Sequence, residues 1–192
     1  MDYIEFSEKV KGCQKCELSK TRTHVVVGEG NLSAEIILVG EAPGKEEDLS
    51  GRPFVGRSGK LLRKSLIDVG FDIKDIYITN IVKCRPPNNR DPKPEERNIC
   101  GQYLLTQLLE FLKPKLVIGI GRISSQVIFK DLRMNDDHGR SVNLGPYHFI
   151  GIYHPAATMY NSELKSKFLQ DIQNAADFMG VIKSDDKINK FF

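Results

Sequence analysis

Residues 40–64, with the sequence GEAPGKEEDLSGRPFVGRSGKLLRK, form the stretch around which the rest of the chain is arranged. They follow the apolar run of residues 36–39 and lead into a helical pattern, which is typical of a long loop at the end of a buried strand. This loop contains several glycines, several acidic side chains and the aromatic Phe54, which is a more specialised composition than a simple connection requires. We therefore interpret this loop as part of a ligand-binding site.

Short apolar runs alternate with helical patterns along the chain. The predicted strands cover residues 35–39, 76–79, 116–120 and 149–153, and the predicted helices cover residues 59–69, 95–112, 122–130 and 163–179. A further short strand is expected at residues 25–27, and Ser58 is expected to cap the first of these helices. Strands that are apolar on both faces and alternate with helices predict an α/β fold, in which helices cover both sides of a parallel sheet.

Polar residues follow each of the four predicted strands. Glu41 follows the first strand, Asn80 the second, Arg122 the third and His154 the fourth. Ligands of open parallel sheets bind beyond the carboxyl ends of the strands, so these side chains are expected to meet at one edge. Polar residues that only satisfy the core would have no reason to share that edge.

Each candidate residue has a plain structural alternative. Glu41 and Glu47 could supply a general base, a metal ligand or a specificity contact, or they could lie in a solvated loop. Phe54 is either a loop anchor or a stacking surface for a planar ligand. Asn80 is either a turn former or a reader of a base edge through its amide. His154 could cap a helix, but opposite Asn80 and Glu41 it is better interpreted as a donor to a developing negative charge.

The charge distribution favours a polyanionic ligand, although the net charge of the 192-residue chain is only +3. Basic residues crowd residues 52–64 and residues 83–93. Such clusters occur in phosphate-binding surfaces and in ordinary solvated faces. The chain has no apolar run long enough for a membrane span, and its N-terminus is not typical of a signal sequence. We therefore expect a cytoplasmic protein with no membrane partner.

Four cysteines, Cys13, Cys16, Cys84 and Cys100, indicate a metal centre. Structural disulfides are disfavoured in an intracellular protein. A Cys-x-x-Cys pair followed by two distant cysteines suits zinc or an iron–sulfur cluster, and the spacing does not separate the two. Buried free thiols are the alternative, and this alternative fits Cys100 best because it falls within a helical pattern.

Three motifs together resemble the family 4 uracil-DNA glycosylases, the iron–sulfur enzymes of thermophilic bacteria and archaea. They are GEAPGKEEDLSGRPFVGRSGKLL at residues 40–62, TNIVKCRPPNNRDPKPEERNIC at residues 79–100, and HPAA at residues 154–157. The resemblance implies one domain over residues 1–182 with the superfamily fold, a three-layer sandwich around a central four-stranded parallel sheet. It also implies a [4Fe-4S] cluster on the four cysteines, in place of zinc. The implied activity is hydrolysis of the N-glycosidic bond of deoxyuridine in DNA, which leaves an abasic site for base excision repair.

The same resemblance assigns roles within a uracil pocket. Glu41 and Ala42 would form its floor, Phe54 would stack on the base, and Asn80 would pair with the base edge. His154 would lie near the carbonyl oxygen that gains charge as the glycosidic bond breaks.

Catalysis is expected to involve His154, Glu41 and Glu47. Glu47 would either exclude the methyl group of thymine or assist the attacking water, and the sequence does not separate these roles. Several related families carry an aspartate that aligns the water at the position of Ala42, so the chemistry here should rest on stabilising the leaving group. The predicted strand ends carry no lysine for a Schiff base, which predicts an abasic site as the product.

DNA is the expected partner, and the protein would then associate with the nucleoid. The residues expected to contact DNA are Arg57, Ser58, Lys60, Arg85 and Arg122, with Met159 or Tyr160 as the wedge that enters the base stack. Beyond the domain, residues 183–192 resemble a peptide that binds the replication sliding clamp through Ile188, Phe191 and Phe192. A frayed terminus is the alternative.

Two other functions are compatible with parts of this pattern. A non-catalytic binder of damaged DNA could keep the pocket without turnover, and Ala42 keeps that possibility open. A nucleotide-binding enzyme on a similar sheet is disfavoured, because neither a Gly-x-Gly-x-x-Gly motif nor a phosphate-loop lysine follows the first strand.

Overall fold

A six-stranded sheet forms the centre of the computed structural model, which describes residues 1–181. Its strands are β1 (Glu29–Gly30), β2 (Ile36–Gly40), β3 (Ile76–Asn80), β4 (Leu116–Ile120), β5 (Ser141–Asn143) and β6 (His148–Ile152). They lie in the order β1-β3-β2-β4-β6-β5. The predicted clamp-binding residues Ile188, Phe191 and Phe192 lie outside the described residues.

Eight α-helices connect and flank the strands over the described part of the chain. They are α1 (Tyr3–Lys11), α2 (Lys45–Ser50), α3 (Arg57–Asp68), α4 (Pro94–Thr106), α5 (Arg122–Ile128), α6 (Met134–Asp137), α7 (Pro155–Thr158) and α8 (Ser162–Phe178). A π-helical turn, Gln107–Leu112, extends α4, and short 3₁₀ turns occupy Glu17–Lys20, Ile73–Asp75 and Pro87–Asn89. No helix among these described residues is long and apolar enough to cross a membrane.

The four inner strands confirm the predicted parallel sheet. β3, β2, β4 and β6 pair in parallel, and every residue of β2, β3 and β4 is buried. Burial on both faces explains why these strands appear in the sequence as continuous apolar runs. The predicted number of four strands was too small, because β1 and β5 each add a short antiparallel edge. Edge strands of two and three residues leave almost no pattern in a sequence.

Three local predictions were wrong. Residues 25–27 form no strand, although the amide of Val26 donates to the carbonyl of Lys83 at 2.8 Å. Ser58 does not cap α3, which begins at Arg57 after the cap residue Gly56. The loop predicted between residue 40 and the helix at residues 59–69 is also interrupted, because it contains the helix α2.

Candidate active site

A pocket of about 440 Å³ opens at the carboxyl edge of the parallel strands. Its lining residues come from the ends of β2, β3 and β6, from the α2–α3 segment and from the loop before α4. They are Glu41, Ala42, Pro43, Gly44, Glu47, Phe54, Ser58, Asn80, Pro86, Asn89, Arg90, Asp91, His154 and Ala156. All the residues that the sequence assigned to base binding or catalysis therefore lie around one cavity.

Register in the sheet brings the first two strand ends together. Gly40, the last residue of β2, pairs with Asn80, the last residue of β3. A Cβ atom on Gly40 would lie 2.6 Å from Cζ of Phe54 and would also collide with the Asn80 side chain. Glycine is therefore required here, because any side chain would fill the space in which Phe54 and Asn80 meet.

Phe54 is held in a strained backbone conformation. Its φ is 53°, which is uncommon for a residue with a side chain, and its ring is buried. The guanidinium of Arg63 donates to the carbonyl of Phe54 at 3.2 Å and to that of Pro53 at 3.0 Å. A Cβ on Gly59 would come within 2.6 Å of the Phe54 Cα, so α3 can pack against this turn only through glycine.

Asn80 presents an amide with free hydrogen-bonding capacity. The residue is 2% exposed, yet within residues 1–181 its side chain makes no hydrogen bond. An amide this nearly buried usually finds partners in the protein. Its position in the pocket wall indicates that a ligand supplies those partners.

His154 is a neutral imidazole with a defined tautomer. Its Nδ1 accepts a hydrogen bond from the backbone N–H of Ala156 at 3.1 Å, which places the ring proton on Nε2. Burial lowers the pKa of His154 to about 4, although the nearby negative charge of Glu47 opposes the shift. The ring centroid lies 6.3 Å from that of Phe54. The pocket therefore contains a neutral N–H donor beside an aromatic face.

Glu41 lies in an environment that favours its protonated form. Burial raises the pKa of its carboxyl group, and the charge of Asp91 raises it further. Arg97 and Arg122 act in the opposite direction. The backbone carbonyl of Glu41 accepts from the amide of Val82 at 3.0 Å, which fixes the turn after β2 against the turn after β3.

Glu47 joins α2 to the Phe54 turn. Its Oε1 accepts from the backbone amides of Val55 and Gly56, each at 2.9 Å. Its Oε2 lies next to Gly44, where a Cβ would come within 2.8 Å. One carboxylate oxygen thus holds the residues that precede α3, while the residue also lines the pocket and its charge reaches His154.

Comparison with known proteins places this geometry in a family. Residues 27–175 match the family model of the uracil DNA glycosylase superfamily. The chain is 43% identical over 186 residues to the type-4 uracil-DNA glycosylase of Archaeoglobus fulgidus, covering 90% of each chain. It is 45% identical over 178 residues to that of Thermotoga maritima, covering 90% of this chain and 92% of the relative. It is 40% identical over 188 residues to that of Saccharolobus solfataricus, covering 92% and 87%.

The chain belongs to the type-4 uracil-DNA glycosylases. This membership agrees with the resemblance that the three sequence motifs carried, and the observed fold is the α/β fold that the motifs predicted. The strand-end residues are therefore interpreted below as parts of a glycosylase pocket.

One wall of this glycosylase pocket, formed by the loop before α4, was not predicted from the sequence. Asn88 and Asn89 both have positive φ, of 56° and 53°, and Arg85 donates to Oδ1 of Asn89 at 2.7 Å. Arg90 forms a two-bond ion pair with Glu96 at 2.7 and 2.9 Å. Two successive asparagines before an Arg-Asp pair are a recognisable turn signal, because asparagine tolerates the left-handed region. Nothing in the sequence indicated that this turn would line the same pocket as the residues after β2.

The residues predicted to contact DNA differ in their positions relative to the pocket. Ser58 lines the pocket, and Arg57 and Lys60 are exposed on α3 next to it. Arg122 is exposed at the start of α5, and its charge reaches Glu41. Arg85 is bonded to Asn89, as described above.

The two candidate wedge residues differ in exposure. Tyr160 is 84% exposed, whereas Met159 is partly buried. Both follow α7, the short helix that begins after His154. Tyr160 is therefore the better placed of the two to reach a bound DNA.

The four cysteines line a second, closed cavity with a volume of only about 10 Å³. Two sulfur atoms accept hydrogen bonds, one from the Lys83 amide to Cys100 at 3.3 Å and one from Arg22 to Cys84 at 3.4 Å. Burial raises the pKa of Cys84 to about 11 and also raises that of Cys100. In the described part of the chain, no three His, Cys, Asp or Glu side chains are arranged to hold a metal ion.

The sequence placed Lys83 in the basic cluster of residues 83–93, and the structure contradicts this interpretation. The side chain is 1% exposed, and its Nζ is bonded to Thr79, Asn80 and Gln107. Burial lowers the pKa of Lys83 to about 7. A lysine therefore does lie close to a strand end, but it does not line the glycosylase pocket.

Proposed function

We propose that this protein is a monofunctional glycosylase that removes uracil from DNA by hydrolysing the N-glycosidic bond of deoxyuridine. The observation that carries the proposal is the neutral His154 donor, which shares one pocket with the unpaired amide of Asn80 and the ring of Phe54. These three groups supply what binding and releasing a planar base requires, namely a donor, an edge reader and a stacking surface.

Base recognition falls to Asn80 and Phe54. An asparagine amide offers one donor and one acceptor side by side, which complements the carbonyl and N–H on the edge of uracil. Cytosine presents an amino group and a ring acceptor instead, so an amide held in one orientation rejects it. The target nucleotide must first leave the duplex at a cost of a few kcal/mol, and a mispaired base leaves more easily.

Bond cleavage is assisted mainly at the leaving group. As the glycosidic bond lengthens, negative charge builds up on a carbonyl oxygen of uracil, and Nε2–H of His154 is the donor for that oxygen. The backbone amide of Ala156 holds the ring from its other side. A preorganised donor of this kind typically contributes about 3 kcal/mol to the transition state. A neutral donor also avoids giving a full proton to the leaving base.

Water attacks C1′ of the sugar in the same pocket. Ala42 carries no group that could orient this water, so the acidic candidates are Glu41 and Glu47. Burial and the charge of Asp91 raise the pKa of Glu41, which favours its protonated form. Glu47 has one oxygen committed to backbone amides and the other free to reach the water or the C5 position of the base.

The product is an abasic site with an intact strand. A glycosylase that also cuts the strand needs an amine to form a Schiff base. Lys83 does not serve as that amine, because its Nζ is enclosed by three acceptors away from the pocket.

We infer from the four thiols that Cys13, Cys16, Cys84 and Cys100 hold a [4Fe-4S] cluster, although the cavity of about 10 Å³ between them is smaller than the cluster and would have to widen around it. Four thiols around one enclosed space are the ligand set of such a cluster, and N–H donors directed at the sulfurs are typical of its surroundings. The residues come from the segment after α1, the loop after β3 and helix α4. The bound cluster would supply a covalent tie between these segments, and its role here is structural.

We also propose that DNA is bound by Arg57, Ser58, Lys60, Arg85 and Arg122, with Tyr160 or Met159 as the wedge. The proposal is supported by Ser58, which lines the pocket, and by the exposure of Arg57, Lys60 and Arg122. Phosphate contacts of this kind give affinity without sequence preference. Nucleoid association in the cytoplasm and clamp binding by the tail at residues 183–192 complete the proposal. Removing residues 188–192 should abolish clamp pull-down and leave activity on free oligonucleotides unchanged.

The test of the glycosylase function is direct. A labelled oligonucleotide with a single uracil is incubated with the protein and then treated with hot alkali, which cuts abasic sites. Cleavage after alkali, but not before it, is expected. An oligonucleotide with cytosine at the same position is the control. Binding to the uracil strand without cleavage at any temperature would instead favour the non-catalytic binder of damaged DNA.

A further inference from the structure

Lys83 forms a buried polar cluster directly behind the base-reading residue. Its Nζ lies 2.5 Å from Oγ1 of Thr79, 2.8 Å from the carbonyl oxygen of Asn80 and 2.6 Å from Oε1 of Gln107. Lys83, Thr79, Asn80 and Gln107 are all at most 2% exposed. Apart from Asn80, the members of this cluster do not line the pocket, and the proposed mechanism does not use Lys83, Thr79 or Gln107.

All three partners of Lys83 act as acceptors. The hydroxyl of Thr79 donates its own hydrogen to the carbonyl of Val27 at 2.8 Å, and the amide nitrogen of Gln107 donates to the same carbonyl at 3.1 Å. Thr79 and Gln107 therefore receive hydrogen bonds from Lys83, as the Asn80 carbonyl must. An ammonium group has three donors, so the cluster is fully satisfied only with Lys83 in place.

The bond to Asn80 has a consequence for base recognition. Within the described chain the Asn80 side chain packs beside Phe54 above Gly40 but has no hydrogen-bond partner, so no hydrogen bond fixes the amide directly. Its orientation depends on the backbone of residue 80, and that backbone is tied to a buried side chain through its carbonyl oxygen. We propose that Lys83 is a positioning residue for Asn80, which keeps the amide aimed at the base by fixing the Asn80 carbonyl.

This inference rests on the proposed function, since it concerns the base-reading step of uracil release. It also connects two regions that look independent. The amide of Lys83 donates to Cys100, and Gln107 extends the helix that carries Cys100. The same residue thus contacts the cysteine cavity through its backbone and the Asn80 backbone through its side chain.

The first experiment compares Lys83→Met with Lys115→Met. Lys115 is an exposed lysine at the opposite edge of the sheet, where it pairs with Glu35, so it controls for the substitution itself. Single-turnover uracil release should fall about 10- to 100-fold in Lys83→Met, because a displacement of about 1 Å at a reacting group has that effect. DNA affinity should stay unchanged, and Lys115→Met should behave as wild type.

A second pair of variants separates positioning from loss of folding. Gln107→Leu removes an acceptor but leaves the bond from Lys83 to Asn80, so its rate of uracil release should stay near wild type even if its Tm falls. Lys83→Met combined with Gln107→Leu replaces the buried polar pair by an apolar one, which folded proteins often accept. This double variant should fold and still show the loss of rate. A double variant with the wild-type rate would overturn the proposal.

Combination with Asn80→Ala gives the decisive readout. If Lys83 acts through Asn80, adding Lys83→Met to Asn80→Ala should cause no further loss of rate. If the losses of rate from the two single variants multiply in the double variant, Lys83→Met acts through a general structural effect, which would contradict the inference. Wild-type protein that fails to release uracil would count against the proposed function, whereas active wild type with equally active Lys83 variants would count against Lys83 alone.

Discussion

The pocket and the cysteine cavity differ in design, although only residues 81–83 separate Asn80 from Cys84. The pocket has a volume of about 440 Å³, and its polar groups include an amide and an imidazole with free hydrogen-bonding capacity. The cysteine cavity has a volume of about 10 Å³, and its thiols are partly or fully buried. An open site with unsatisfied donors suits a ligand that enters and leaves. A closed site lined by thiols suits a group that stays bound.

This difference predicts that substitutions in the two regions fail in different ways. Substitution of a pocket side chain that makes no hydrogen bond within residues 1–181, such as Asn80, should reduce the rate and preserve the fold. A change at a cysteine should destabilise the fold, because the cavity joins the segment after α1, the loop after β3 and helix α4. The predictions below test this separation.

The largest effect is expected for Cys84→Ser. Loss of one thiolate should release the proposed cluster, and a structural metal centre can contribute on the order of 10 kcal/mol to folding. The variant should lose iron, inorganic sulfide and visible absorbance together, and its Tm should fall sharply. Asn80→Ala serves as the matched control, since it should keep the full iron content. Wild-type iron content in Cys84→Ser would show that this thiol is not a ligand.

Asn80→Ala should have the next largest effect. Loss of the base-reading amide should reduce single-turnover uracil release about 100- to 1,000-fold, the range seen when one preorganised donor is removed. Nonspecific DNA affinity, measured by fluorescence anisotropy, should stay close to wild type because phosphates supply most of it. Asn98→Ala, on the exposed surface of α4, is the control. An unchanged rate in Asn80→Ala would mean that another residue reads the base.

The parallel sheet and the strand-end residues could be predicted from the sequence for one physical reason. A strand buried on both faces must be apolar throughout, so β2, β3 and β4 are visible as runs, and the residues after them mark the ligand edge. Glu41, Asn80 and His154 were found in this way.

The parts that escaped prediction depend on contacts between distant residues. Lys83 looks like a surface residue because its acceptors include Gln107, which is 24 positions away. Arg63 looked like a phosphate contact, yet it bonds to the Phe54 turn and forms an ion pair with Glu29. The wall formed by Asn89 and Asp91 depends on the conformation of the loop before α4, which brings both residues into the same pocket as the residues after β2. Local patterns do not contain such information.

A smaller effect concerns stability at low pH. The pKa of His154 is about 4 in the folded protein, against 6.5 for an unperturbed histidine, so the unfolded chain binds the extra proton more readily between these values. The contribution of His154 to stability is therefore complete above pH 6.5 and is lost as the pH falls toward 4, by about 2 kcal/mol at pH 5.

Thermal unfolding of the wild type and of His154→Gln at pH 7.5 and pH 5 would measure this contribution. Glutamine does not titrate, so the decrease in stability from pH 7.5 to 5 should be smaller in the variant. Equal decreases in both proteins would show that His154 titrates normally when folded.

The smallest effect is expected for Glu47→Gln. This substitution tests how much one pocket carboxylate contributes by holding the turn after Phe54. Glutamine keeps a carbonyl oxygen for the amides of Val55 and Gly56 but loses the charge that strengthens both bonds. The expected cost is about 1 kcal/mol, or roughly a fivefold slower uracil release. Glu46→Gln is the matched control, because Glu46 is the exposed neighbour in α2.

The same pair of variants also separates the two roles left open for Glu47. If its free oxygen excludes the methyl group of thymine, Glu47→Ala should begin to release thymine from a G·T mismatch. If that oxygen positions water, thymine release should stay undetectable while uracil release falls in Glu47→Ala well below Glu47→Gln. Wild-type rates in both Glu47 variants would leave the residue with neither role and would shift the search for the water-binding group to Glu41 and Asp91.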